Sequence, residues 1–581
     1  MAEATEAGSV SPFGAPWWRE LTRYHWWVLL VAALGWLFDT MDQQLFTLSR
    51  SRALDELLAV RVSAGELDGM TLERAVRMLG IPAKEAGGFR GVEVRLPGSG
   101  GQRGVLRLLP SSESAAAREY PLVGSVAGGP TEPVLVYPTT QRRDTFGQIA
   151  TAIFIAGWAT GGLFFGIIGD KWGRAFTMML TILIYSIFTG LSAVSFTWWD
   201  FTIYRFLTGM GVGGEFAAGV ALVAEVMPDR ARPYALGMLQ ALSAVGNMMG
   251  AGVGYVVLSA MGASWRYMYV VGILPALLVV LIRRKLKEPE RWQAAKESAG
   301  HLVSERLGAF GDLFRQQPWR KHSLIGVVLV MSGVIGLWGV GFWTPELIRD
   351  RVLGDMPARE KDGIATLAFG TQHLGALFGI WAISLFSQGL PRRRALPMGI
   401  AALASLGAVW ATWRWANTYQ SQALDLLMSL AVVLFLFFAL TTVSALLQGV
   451  GRRGAFDLAF IAALASTFMV FGFMNHRSQI FWMVPMLGFF GLMVFGCYAM
   501  YLPELYPTRL RSTGTGFCYN VARYLATVQA PLMIAFVSGL QHFGSDAAFR
   551  FAAVTVAVVG YVVGLAVLPF APETKDRPLP D

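Results

Sequence analysis

Apolar residues fall in blocks of about 20, the length that crosses a hydrocarbon core. Turns rich in glycine, proline and arginine separate them. The blocks predict membrane helices over 26–48, 146–168, 175–196, 200–226, 234–259, 266–284, 322–345, 364–387, 395–413, 424–447, 456–474, 480–502, 513–540 and 549–571. A helix on the surface of a soluble protein carries a polar face at a period of 3.6 residues; these blocks carry none. The pattern describes an all-α polytopic membrane protein.

Two intervals break the rhythm. The first, 51–145, holds 12 Lys+Arg against 11 Asp+Glu. Within it GVEVRL and GVLRLL alternate as strands do, and LERAVRMLGI reads as an amphipathic helix. It is expected to form a small α+β extracytoplasmic insert between helices 1 and 2. The second interval, 285–321, is mixed in charge and reads as a cytoplasmic central loop. It separates an N-terminal six-helix bundle (26–284) from a C-terminal bundle of about eight helices (322–571). Residues 1–25 and 572–581 are short polar ends. SQGLPRRRALPMGIAALAS (387–405) is echoed by LQGVGRRGAFDLAFIAALAS (447–466), which suggests 12 core helices plus an extra hairpin within 390–475.

Composition agrees with the pattern. Hydrophobic residues make up 54% of the 581 and charged residues 15%, against about 25% charged in soluble domains. The net charge of +10 collects in turns such as GDKWGR, PDRARP, LPRRRA, VGRRGA and YPTRLR. In a strict zigzag these share one side, which the positive-inside tendency makes cytoplasmic, with both termini there. The expected site is the cell (plasma) membrane. The basicity sets orientation and does not signal a nucleic-acid partner. Cys497 and Cys518 offer no disulfide framework and no metal site, and no cofactor is implied. G-x-S-x-G, HExxH and GxxxxGK[ST] are absent from the sequence, so neither an enzyme nor an ATP-driven pump is expected. The expected partners are the lipid bilayer, a small-molecule solute and a proton, with the chain a monomer.

Candidate chemistry begins in GWLFDTMDQQLF, where Asp39 and Asp42 stand three apart and share one helix face. Acids at that depth must face a cavity, pair with a cation or take up a proton. Two neighbouring carboxylates cannot both ionise easily, which makes the pair a protonatable site.

GIIGDKWGR (166–174) then resembles the helix 2–3 signature of the major facilitator superfamily. The resemblance implies two helical bundles that rock around a midplane site. It implies a charged latch of Gly166, Asp170, Lys171, Gly173 and Arg174. RFLTGMGVGGEF is similar to the family's glycine run on helix 4. There Arg205 matches a residue implicated in proton coupling, and Glu215 follows on the same helix. AEVMPDRARP and LPELYPTRLR share E-x-x-P-x-x-x-R, which points to cytoplasmic salt-bridge gates at Glu225, Arg232, Glu504 and Arg511. The D-x-x-D placement resembles metabolite–proton symporters for aromatic acids, sialic acid, nicotinate and sugars. Two departures stand out. Gln388 and Gln448 replace the usual acid in the second half, which is expected to weaken its latch, and either copy could be the structural equivalent. The fifth span also lacks the Gly-Pro pair of drug antiporters.

Gln240, Asn247, Trp338, Trp343, Gln372, His373, Asn520 and Arg523 are candidates to line a central cavity. The reading is a secondary active transporter, with proton-coupled symport of a small organic solute by alternating access. A proton-driven exporter of the same fold and a non-transporting nutrient sensor are its rivals.

Overall fold

The computed structural model describes residues 17–63, 89–95, 104–110, 118–123, 133–136, 140–277, 279, 286–298, 307–340, 343–344, 347–354, 356, 358–419, 421–524 and 545–580. Among the described residues twelve long helices organise it. In the first half these are α1 (Arg23–Leu57), α2 (Thr140–Trp172), α3 (Arg174–Ser192), α4 (Trp198–Val226) and α5 (Arg232–Gly254). In the second half they are α6 (Trp319–Val340), α7 (Ala358–Gln388), α8 (Ala395–Tyr419), α9 (Gln422–Leu447), α10 (Gly451–Phe473), α11 (Arg477–Tyr501) and α12 (Ser545–Val567). A further helical segment covers 511–524. Among the described residues ten helices are long and apolar enough to cross a membrane. Where residues are described, most of the expected spans fall on helices, some of them extended; 525–540 of the span expected over 513–540 lie outside the described residues. α1 runs on to Leu57, and α2 begins at Thr140. The span expected over 266–284 starts as a short helix, Arg266–Val271, that gives way to turns.

α1 and α4 start where the sequence supplies caps. Thr22 and Thr197 each accept from the third backbone amide of the helix they open, and His25 and Asp200 return the bond. Small residues then let helices approach. α2 and α4 pack so closely that a Cβ at Gly161 would overlap the Met210 carbonyl, and one at Gly213 would overlap the Trp158 carbonyl. α7 meets α11 in the same way, with Gly375 against Pro485 and Gly488 against Gln372. The two halves meet where α5 packs on α7 and α11, and where α2 faces 512–524.

Between α1 and α2 lies a five-stranded antiparallel sheet in the order β1-β5-β4-β3-β2. The strands are β1 (Val60–Ser63), β2 (Phe89–Arg95), β3 (Gly104–Pro110), β4 (Arg118–Val123) and β5 (Pro133–Val136). β2 and β3 fall on GVEVRL and GVLRLL and pair, with Val92 opposite Leu108. The helix expected over LERAVRMLGI lies outside the described residues.

α8 and α9 form a hairpin on the outside of the second half. Its two ends meet. The chain leaves at Gly389 and returns at Gly449, and the two glycines touch backbone to backbone, each with positive φ. Side chains at either position would fill the space taken by the other strand of chain.

Candidate functional site: buried charges at the seam of two bundles

The two aspartates of α1 are both fully buried, and the structure separates them. Asp42 accepts from Thr189 Oγ1 at 2.7 Å and pairs with Arg205 Nη1 at 3.3 Å. Arg205 donates onward to Ser192 Oγ and Thr208 Oγ1, and its guanidinium lies 4.7 Å from the Tyr269 ring centroid. Asp39 instead meets Glu215 of α4, carboxyl to carboxyl. Gly35 makes room for it, since a Cβ there would overlap Glu215 Oε1. All four oxygens of these two acids are buried with no donor against them among the described residues. The expected Asp39–Asp42 pair is therefore replaced by two different couples. Residues three apart share a helix face but diverge by about 60° at 100° per residue. That divergence lets Asp42 reach α3 and Arg205 while Asp39 reaches Glu215. Thr189 and Ser192 complete this site without any short-range signal in the sequence.

A second cluster sits on the seam between the halves. Arg523 is buried, with its guanidinium 4.2 Å from the ring centroids of both Trp158 and Tyr519. Its Nη1 donates to Tyr519 O and Asn520 Oδ1, while Nε has no partner. No acidic side chain faces it among the described residues. Tyr519 stacks on Phe216 at 3.9 Å, and Trp36 packs on Phe216 at 4.5 Å. Gln240 is buried and in contact with Tyr519, and Asn520 packs on Gly162. Aromatic walls thus come from α1, α2, α4 and the 511–524 helix. None of these rings carries a short-range signal in the sequence.

The other candidates scatter. Asn247 is half-buried on α5. Gln372 and His373 are buried on α7, the His373 ring edge-on to Phe369, with Gln372 Oε1 and both ring nitrogens of His373 unbonded. Trp343 stacks on Phe549 of α12 at 5.0 Å, inside the second half. The Trp338 side chain lies outside the described residues.

One end of both bundles is tied by charge. Asp170 closes on the second half, accepting from Ser512 N at 3.1 Å, Thr513 N at 2.8 Å and Thr513 Oγ1 at 2.6 Å. Those are orphan amides of the helix that opens at 511, so a residue of one half caps a helix of the other. Gly166 lies against the Ser512 carbonyl. Arg174 pairs with Asp170 at 3.0 Å and Glu225 at 2.9 Å, and donates to Thr508 O. Arg511 reaches across to Glu225 at 2.8 Å. Lys171 is exposed and has no ion pair with the described residues, so it stands outside the latch.

The second half repeats this arrangement. Gly173 (φ 115°) precedes the helix that begins with Arg174, and Gly451 (φ 78°) is the first residue of the helix that carries Arg452. Glu288 caps the first of these helices through the amides of Arg174 and Phe176; Glu573 caps the second through Arg452 and Arg453. Arg174 pairs with Glu225, and Arg452 pairs bidentately with Glu504 at 2.9 and 2.8 Å. Arg232 donates to the carbonyl of Ala224, and Arg511 to that of Pro503, each the residue before a motif glutamate. The E-x-x-P-x-x-x-R glutamates therefore do not pair with their own arginines. Arg232 takes Asp229, and Glu504 takes Arg452.

Gln388 stands where Asp170 stands. With its amide carbonyl facing Arg452 it accepts from Nη1 at 2.7 Å and Nη2 at 2.8 Å. The second-half signature is one motif split in two, Gln388-Gly389 and Val450-Gly451-Arg452, with α8 and α9 spliced between. The glutamine keeps the arginine bonded, through neutral acceptor bonds where Asp170 makes an ion pair.

Two helical bundles meeting over buried charge, tied at one end and built as repeats, are the architecture of a class of membrane carriers. The chain belongs to the Major Facilitator Superfamily, whose model matches residues 130–450. A putative metabolite transport protein of Haemophilus influenzae is 32% identical over 249 residues, 42% of this chain and 59% of that one. This chain thus spans under two thirds of that relative. A probable 4-methylmuconolactone transporter of Cupriavidus pinatubonensis is 26% identical over 433 residues, covering 74% of this chain and 81% of the relative. The solved structure of a proton:xylose symporter bound to 6-bromo-6-deoxy-D-glucose superposes with TM-score 0.54 at 15% identity, over 96% of this chain and 98% of that one. At that identity the likeness speaks to fold.

Proposed function

We propose that the protein imports a small organic anion together with a proton, by alternating access. The observation that carries this reading is Arg523, a buried cation held between two aromatic faces at the seam with no acidic side chain against it. A buried charge is costly unless paired, and a guanidinium with a free edge suits a carboxylate. The flanking rings of Trp158, Tyr519 and Phe216 suit a flat or unsaturated body. The relative described as a 4-methylmuconolactone transporter is consistent with a small organic solute.

The proton belongs to Asp39 and Glu215. Two ionised carboxylates are acceptors only and cannot bond to one another; one shared proton supplies the donor. Asp42 is already neutralised by Arg205, so it positions that arginine beside α3 and leaves the first couple to load and unload. The charged end is the cytoplasmic gate, both termini lie on that side, and 51–145 lies outside the cell. Breaking the Asp170–Thr513 and Glu225–Arg511 links opens the site to the cytoplasm. The protein works as a monomer in the plasma membrane.

Uptake of labelled organic acids into proteoliposomes with an imposed pH gradient tests this. Wild type should accumulate one of them uphill when the lumen is alkaline. Asp39→Asn and Glu215→Gln should each abolish accumulation while leaving downhill exchange. Uphill uptake persisting in both variants would place coupling elsewhere, and accumulation driven by an acidic rather than an alkaline lumen would favour the exporter.

A further inference from the structure

The hairpin of α8 and α9 is unlike the other helices. α8 is almost wholly unburied, whereas α4 and α11 are mostly buried. At one end of α8 stand Arg392, Arg393 and Arg394; at the other, Trp410, Trp413, Trp415 and Tyr419 are exposed. Its 25 residues span about 37 Å, so guanidinium groups and aromatic rings fall at opposite interfaces of one bilayer. None of the three arginines has an ion pair or side-chain hydrogen bond with the described residues. Other arginines at this end do: Arg174, Arg232, Arg452 and Arg511 are each tied to an acid.

A groove of about 620 Å³ opens between the two helices, immediately beyond the arginines. Gly399, Ile400 and Leu403 form one wall; Phe435, Ala439 and Thr442 form the other. It runs along the arginine half of the hairpin only, over 395–403 and 435–446, roughly 12 Å of helix. That is the depth of a single leaflet, half of a core about 30 Å thick.

We propose that this hairpin is a binding site for an anionic phospholipid, with an acyl chain in the groove and the headgroup phosphate held by Arg392–Arg394. Charge complementarity names the occupant. An apolar groove alone would take any lipid chain. Three arginines without acids at its mouth select a negative headgroup, which basic juxtamembrane clusters do at about 1 kcal/mol per cation. Arg394 is also close enough to Tyr234 of α5 to act on its phenol electrostatically, and Tyr234 donates to Gly389 O at 3.3 Å. The lipid headgroup would therefore sit beside a contact between the halves.

The test uses the full chain in a neutral detergent, titrated with phosphatidylglycerol or phosphatidylcholine of identical chains. Thermal unfolding and native mass spectrometry are the readouts. Phosphatidylglycerol should raise the unfolding midpoint and remain bound; phosphatidylcholine should do neither. Each Arg→Gln substitution at 392, 393 or 394 should weaken phosphatidylglycerol about fivefold. Gly399→Leu fills the groove, since its Cβ lies only 3.7 Å from Thr442 Cγ2. It should lose the lipid with all three arginines intact; Leu403→Trp is the substitute if that variant does not fold. Equal shifts from both lipids, a preference that survives the triple glutamine variant, or the same shift from inorganic phosphate would overturn the proposal. So would a dimer that Gly399→Leu dissociates, because a second copy would then occupy the groove.

Discussion

Glu225 and Arg511 form an ion pair at 2.8 Å that joins the two halves of the chain, and Arg174 shares the same carboxylate oxygen at 2.9 Å. The three side chains are fully buried. Their dependence on one another is unequal. Arg174 keeps Asp170 if Glu225 is neutralised, whereas Arg511 keeps no acid within ion-pair reach among the described residues. Glu225→Gln should therefore cost about 3–5 kcal/mol, as breaking a buried pair does. Arg511→Met leaves Glu225 satisfied by Arg174 and should cost less. Denaturation midpoints in one detergent compare them, and an equal or reversed order refutes the arrangement. Arg511→Met should also speed hydrogen exchange at Ser512 and Thr513, which Asp170 holds.

Arg523 should discriminate by geometry as well as charge. Lysine keeps the cation but cannot lie flat between Trp158 and Tyr519. Arg523→Lys should weaken an organic anion by at least about tenfold, the scale of a lost bidentate or stacked contact. Binding measured by tryptophan fluorescence checks it. Unchanged affinity in both Arg523→Lys and Arg523→Gln would remove Arg523 from the solute site.

Much of this was legible in the chain, for reasons that particular residues make plain. Helices of about 20 apolar residues announce themselves because lipid demands them, and GIIGDKWGR carries its turn in its own spacing. Partnerships across helices are different. Nothing near Asp39 in the sequence points to Glu215, 176 positions away. Trp343 reads as a wall or a belt residue until Phe549 is found beneath it. The second-half signature was hidden by its own interruption: Gln388 and Arg452 belong to one turn, yet two helices stand between them.

Helix contact at α2 and α4 leaves no slack. Gly213→Ala would drive a methyl group into the Trp158 carbonyl oxygen. Backbone cannot step aside as a flexible side chain can, so the loss should be at least the 1–3 kcal/mol typical of overpacking. Gly399→Ala, whose Cβ meets only Thr442 at 3.7 Å, should be neutral. Yields of monodisperse protein and unfolding midpoints for the two variants would show whether close packing sets the difference.

Glu573 gives a pH signature outside the membrane spans. Burial pushes its carboxyl up, but backbone amides of Arg452, Lys575 and Arg453, with the Arg452 guanidinium, outweigh that and hold it below the ordinary value. A carboxyl depressed in the folded state stabilises above its unfolded value of about 4.3 and loses that contribution as pH falls through the lower, folded one. Glu573→Gln should therefore be less stable than wild type at neutral pH, and the gap should close as pH falls through the folded-state value. A gap that widens with acid would contradict the cap.

The touching glycines at 389 and 449 have a genetic consequence. A segment whose entrance and exit coincide can be gained or lost in one event without moving what flanks it. Two helices also preserve the parity of membrane crossings, so everything downstream keeps its sidedness. Residues 390–449 are thus a cassette: without them Gln388-Gly389 would run into Val450-Gly451-Arg452, which restores the spacing of the signature with glutamine in place of its acid.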